Sequence, residues 1–169
     1  MKLHEGKTRL IEFGRYASER RERGGEGRPA TFDFLGFTHM CAKTRKQGWF
    51  TIHRHSVAKR MRATLQAIKA KLRTRMHRPL GETARWLRSV VQGWLNYHAV
   101  PNNGKRIGRF IDEVTRLWLQ VIRRRSQLGR DRWTWGRIRR FVRRHLPRPR
   151  IIHPYPNTRF RARLEAGAV

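Results

Sequence analysis

The stretch Ser56-Val57-Ala58-Lys59-Arg60-Met61-Arg62-Ala63-Thr64-Leu65-Gln66-Ala67-Ile68-Lys69-Ala70-Lys71-Leu72-Arg73 decides the fold. At ~100° per residue, Val57, Met61, Leu65, Ile68 and Leu72 fall within about 80° of one another, the apolar stripe of a helix lying on a core. Lys59, Arg62, Gln66, Lys69 and Arg73 make a separate stripe on the other side. Ser56 stands where a helix N-cap is expected, and Pro79 closes the segment. The same period recurs downstream. A second helix is predicted over about 81–98, with Leu87, Val90, Val91, Trp94 and His98 inward. Pro101-Asn102-Asn103-Gly104 reads as a turn. A third helix starts near Lys105, buries Ile107, Phe110, Ile111, Val114, Trp118 and Val121, and is ended by Gly129. A shorter helix over about 134–145 carries Trp135, Ile138, Phe141 and Val142 among many Arg, and an irregular tail follows Pro147.

Upstream the period is two. Residues 7–13 alternate loosely and read as a strand; 18–29, charged and Gly-rich, read as a loop. The aromatic run 31–39 reads as a second strand, Lys43 to Gly48 as a polar turn, and 49–53 as a third strand. Three short strands do not make an independent domain. The expected fold class is therefore α+β, mainly α: short antiparallel strands over 1–53, a basic helical bundle over 54–146, and an irregular Pro-rich tail over 147–169.

Charge narrows the function. Lys plus Arg number 41 against 11 acids, a formal net charge of +30. Such a charge repels itself in a compact state unless a polyanion neutralises it, and nucleic acid is the expected polyanion; a basic membrane-surface protein is the competing class. Arg outnumbers Lys, which suits bidentate phosphate contacts and stacking on bases. Residues 54–150 hold 27 of the cations and four acids, so the charge is concentrated on the helices. The single Cys41 excludes an intrachain disulfide and a multi-cysteine zinc site. No stretch approaches the ~20 apolar residues of a membrane span, and Met1-Lys2-Leu3-His4-Glu5 has no signal-peptide core. The expected location is the cytoplasm.

The candidate contacts to RNA follow from spacing. Lys59, Arg62, Lys69 and Arg73 on one helix, and Lys105, Arg109, Arg116 and Arg123 on another, form rows opposite the apolar faces; Arg106 is counted with them. Arg123-Arg124-Arg125 is a phosphate-clamp candidate at a helix end, where the helix dipole also favours cations. In Gly93-Trp94-Leu95-Asn96-Tyr97, Trp94 is a core residue, whereas Asn96 and Tyr97 either close the helix end or meet an unpaired base. No constellation for catalysis emerges. The acids are few and scattered, no Asp-Asp pair occurs, and Asp112-Glu113 diverge on a helix. His53 and His55 have no Cys or Asp near them in sequence to complete a metal site.

Phe34-Leu35-Gly36-Phe37, preceded by Lys7-Thr8-Arg9-Leu10-Ile11-Glu12-Phe13, resembles the last block of the palm in group II intron reverse transcriptases. Gly93-Trp94-Leu95-Asn96-Tyr97 with Ala99-Val100-Pro101, then Arg116-Leu117-Trp118 through Arg123-Arg124-Arg125, resembles the thumb of that family, its domain X or maturase-specific domain. The ending Leu146-Pro147-Arg148-Pro149-Arg150-Ile151-Ile152-His153-Pro154-Tyr155-Pro156 is similar to those of its bacterial members. The resemblance spans nearly the whole chain, and it is the order and spacing of the motifs that is specific. It implies that Phe34, Leu35, Gly36 and Phe37 form a primer-grip hairpin on a remnant of the palm. It implies a maturase-type module that binds group II intron RNA and assists its folding and splicing. The alternative is the primer-grip and thumb part of an RNA-directed DNA polymerase on a primer-template. The family's Tyr-x-Asp-Asp motif and its endonuclease are absent. The expectation is thus a truncated fragment, inactive alone as a polymerase, with Mg²⁺ held by the missing palm and an upstream palm fragment as a possible partner. Strands deprived of the rest of the palm are expected to expose edges and to leave Phe32 and Phe34 poorly covered.

Overall fold

The computed structural model describes residues 8–125 and 132–155. It is α+β and mostly helical, with a three-stranded antiparallel sheet followed by helices. The chain divides into two compact units, Met1–His55 and Ser56–Val169. Lys7, the Gly129 helix stop and residues 156–169 of the tail lie outside the described residues.

The first unit holds α1 (Arg15–Arg23), β1 (Phe32–Phe34), β2 (Phe37–Lys43) and β3 (Phe50–Ser56), with the sheet order β1-β2-β3. Three expectations need correction here. Residues 8–13 form no strand; Glu12 is instead tied to Arg20 and Arg21, and Phe13 packs edge-on against Phe32 at 4.9 Å. The charged run read as a loop from residue 18 is helical up to Arg23, because Arg and Glu favour helix and Arg15 pairs with Glu19 at 2.9 Å. The predicted strand 31–39 is two strands. Leu35 (φ 45°) and Gly36 (φ 79°) reverse the chain in a two-residue turn, and Phe34 pairs with Phe37 across it. Positive φ at both central positions matches the twist of a hairpin; Gly36 adopts it freely, and Leu35 does so at a cost. The third strand runs three residues past the predicted 53. Phe32 is better covered than expected, lying between Phe13 and the ring of His39 at 5.0 Å, whereas Phe34 is 59% exposed.

The second unit holds α2 (Ala58–Thr74), α3 (Leu80–His98), α4 (Gly104–Arg123) and α5 (Trp135–His145). Its core contains the predicted faces: Met61, Ile68 and Leu72 of α2; Leu87, Val91 and Trp94 of α3; Ile138 and Val142 of α5. The α4 face is buried throughout, with Phe110 and Val114 at 0% exposure and Trp118 at 1%. Trp94 stacks on Phe110 at 3.8 Å. The described part of the tail, 147–155, has no helix or strand but returns to α3: the backbone N–H groups of Ile152 and His153 both donate to the Ala99 carbonyl, at 2.9 and 3.2 Å.

Ser56 does not cap α2. The helix begins after Val57 with no side-chain cap. Ser56 is buried and joined instead to Asn103, 47 residues away. Its N–H donates to Asn103 Oδ1 at 3.0 Å, while Asn103 Nδ2 donates to Ser56 Oγ at 2.8 Å and to the His98 carbonyl at 2.7 Å. A backbone N–H only donates and a carbonyl only accepts, so the amide orientation is fixed. The Ser56 hydroxyl proton is then left for His98 Nδ1, 2.9 Å away, and His98 is the neutral Nε2–H tautomer. This network ties the starts of α2 and α4 to the end of α3.

Burial, with the Arg60 charge adding to it, lowers the His98 pKa to about 4 from 6.5. The unfolded chain therefore takes up a proton at this site that the folded chain refuses until lower pH. The stabilisation is complete above about pH 6.5 and is lost progressively as pH falls toward 4. After discounting for the ring's partial exposure, it amounts to roughly 1–3 kcal/mol. Urea titrations at pH 7.5 and 4.5 should show the wild type losing that much more stability than His98→Gln. An equal loss in both would remove His98 from the account.

Candidate nucleic-acid interface

The cations of α2 stand where its apolar stripe does not. Lys59, Arg62 and Arg73 are exposed and Lys69 is half-buried. None of the four pairs with a carboxylate among the described residues. Between α2 and α4 runs a shallow groove of about 150 Å³, lined by Arg62, Leu65, Gln66, Lys69, Glu113 and Leu117. Arg62 and Lys69 thus face the one acid of that wall, and Glu113 is already bonded to Arg116 at 2.8 Å. Along α4, Lys105 and Arg109 are exposed and Arg106 is half-buried. Rows of cations without acid partners present a field that a phosphate backbone neutralises.

The other candidates lie at helix ends. Tyr97 is 50% exposed at the end of α3. The Asn96 side chain accepts from Gln92 Nε2 at 2.7 Å, and its carbonyl lies 2.6 Å from His153 Nε2. Arg123 closes α4, and its Nε donates to the Trp133 carbonyl at 2.8 Å; Arg124 is exposed and Arg125 half-buried. In the first unit, Phe34 and Leu35 are exposed at the hairpin, while Gly36 and Phe37 are buried. Trp49 (67%) and Ile52 are also exposed on this unit.

The His53 and His55 rings lie 5.8 Å apart. Among the described residues, no group of three or more His, Cys, Asp or Glu comes together. No described helix is long and apolar enough to cross a membrane.

Residues 65–130 match the group II intron, maturase-specific domain. Over these residues the chain is similar to a maturase-specific domain. The match runs from Leu65 in α2 through α3 and α4, so the domain contains Lys69, Arg73, Asn96, Tyr97, the α4 row and Arg123 to Arg125. It supports a group II intron maturase role. No curated protein and no solved structure matches the chain. Sequence reasoning missed two features. The first is the Ser56–His98–Asn103 network of the helical unit, in which Ser56 is too far in sequence from the other two to be paired with them by any local rule. The second lies beyond the match, on α5, where Arg137, Arg140 and Arg144 follow helical spacing. That spacing was the available signal.

Proposed function

We propose that this chain is an RNA-binding module of the maturase kind, which grips group II intron RNA through the α2 and α4 cation rows. By neutralising closely packed phosphates it favours the compact, splicing-competent RNA fold, and the RNA supplies the splicing chemistry. The observation that carries this reading is the placement of Lys59, Arg62, Lys69 and Arg73 on α2, and of Lys105, Arg106 and Arg109 on α4, with no carboxylate partner among the described residues, in a helical unit that matches the maturase-specific domain over residues 65–130. The setting is the cytoplasm, and the contacts are Lys59, Arg62, Lys69, Arg73, Lys105, Arg106, Arg109, Arg116 and Arg123 to Arg125, with Asn96 and Tyr97 at an unpaired base. The test is splicing of a group II intron transcript at a Mg²⁺ concentration too low for unaided reaction. Added protein is expected to raise the spliced fraction. No increase at protein concentrations that saturate the RNA would contradict the assisting role.

A second reading is favoured by the hairpin, whose exposed Phe34 and Leu35 suit contact with a primer terminus. Here the chain serves as primer grip and thumb of an RNA-directed DNA polymerase whose palm, with its Mg²⁺, is supplied by another segment. The isolated chain then makes no cDNA.

A further inference from the structure

A groove of about 460 Å³ runs along α5, lined by Trp133, Arg137, Arg140, Phe141, Arg144 and His145. It lies beyond the residues that match the maturase-specific domain. Its floor and walls are aromatic. Phe141 meets Trp118 of the core at 5.3 Å and stands edge-on to Trp133 at 5.7 Å; His145 stacks on Phe141 at 4.1 Å. The Trp133 backbone is held by Arg123, and the Arg137 guanidinium lies 5.6 Å from the indole ring. His145 Nδ1 lies 2.9 Å from the Phe141 carbonyl and so must donate to it, which leaves Nε2 of the neutral ring as an acceptor.

The rim is cationic. The helix carries five Arg and no acid. Arg137, Arg140 and Arg144 share the groove side, and Arg139 and Arg143 flank the buried face from the other. Arg140 and Arg144 are exposed, with no carboxylate partner among the described residues. A duplex backbone needs cations alone. A groove with partly exposed aromatic walls and guanidinium groups along one edge also offers a face for a base and donors for its phosphate.

We propose that this α5 groove binds an unstacked nucleotide of single-stranded RNA, its base against Trp133 and His145 and its phosphate against Arg140 and Arg144. Because the site rests on the RNA binding proposed above, the experiment uses two probes with the full chain: a labelled short oligoadenylate and a blunt RNA duplex, followed by fluorescence anisotropy. Trp133→Leu is expected to weaken oligoadenylate binding about tenfold or more, the loss of one stacked base, with duplex binding little changed. Trp133→Phe, which keeps an aromatic face, is expected to retain most of the affinity. Arg140→Gln with Arg144→Gln changes exposed side chains only, and decides the matter if Trp133→Leu does not melt as the wild type does; it too should weaken oligoadenylate. Unchanged oligoadenylate binding in both variants, with the wild type binding duplex, overturns the groove site and leaves the RNA-binding reading standing. A wild type that binds neither probe overturns both. Loss of anionic-vesicle binding in Trp133→Leu with oligoadenylate binding intact would assign the groove to a lipid surface and overturn the proposal.

Discussion

Asn103→Ala is expected to lower the unfolding free energy by about 2–3 kcal/mol, since it leaves two buried groups of Ser56 without their partner. Those groups are the Ser56 N–H and the Ser56 hydroxyl oxygen; the His98 carbonyl loses one donor and keeps the Val100 N–H at 2.8 Å. Asn103 is fully buried, so water does not replace it without opening the junction. The side chain sits before α4 yet makes no cap bond of its own; its whole contribution is to hold three helix ends together. Chemical unfolding measures this directly, and a loss under about 1 kcal/mol would mean that the junction tolerates the hole. The variant should also lose the special pH dependence assigned to His98, because a solvated ring titrates near its ordinary value.

Replacing Lys59, Arg62, Lys69 and Arg73 together by Gln is expected to weaken binding to structured RNA roughly 10²–10³-fold near physiological salt. The slope of log K against log salt should shrink by about three units, as about 0.7–0.9 per phosphate contact implies. Lys59, Arg62 and Arg73 are exposed and Lys69 is half-buried at the groove, and none of the four belongs to the buried core. Removing four positive charges from a chain of net charge +30 should leave thermal stability equal or higher. Filter binding with the variant and the wild type side by side checks it. An affinity loss under threefold would move the interface off α2. Arg15→Gln is the control, as that guanidinium is already paired with Glu19 in the other unit.

The helical unit was legible because a period of 3.6 sustained over several turns has few alternatives. Ile107, Phe110, Ile111, Val114, Trp118 and Val121 were all placed on the buried face of α4, and all are buried. The first unit was less legible because its segments are short. The loosely alternating residues 8–13 have no partner strand in the described sheet, and ion pairs with α1 take Glu12 instead. The hairpin at Leu35-Gly36 lacks the usual Asn-Gly signal, so two strands read as one run. Ser56 illustrates the limit of local rules. A serine ahead of an apolar stripe is a good cap candidate, but the partner that claimed it is remote in sequence. The cation rows needed only helical spacing to be seen. The α5 groove needed Trp133, outside the helix, to be brought beside Phe141, and that is a tertiary fact.

The most direct test of the central claim is the affinity of the wild-type chain for group II intron RNA across a salt series. Binding by rows of Lys and Arg on phosphate should give a log K that falls linearly with log salt, steeply enough to correspond to several released counterions, and a slope that the α2 variant reduces. Absent binding, or binding indifferent to salt, would contradict the account.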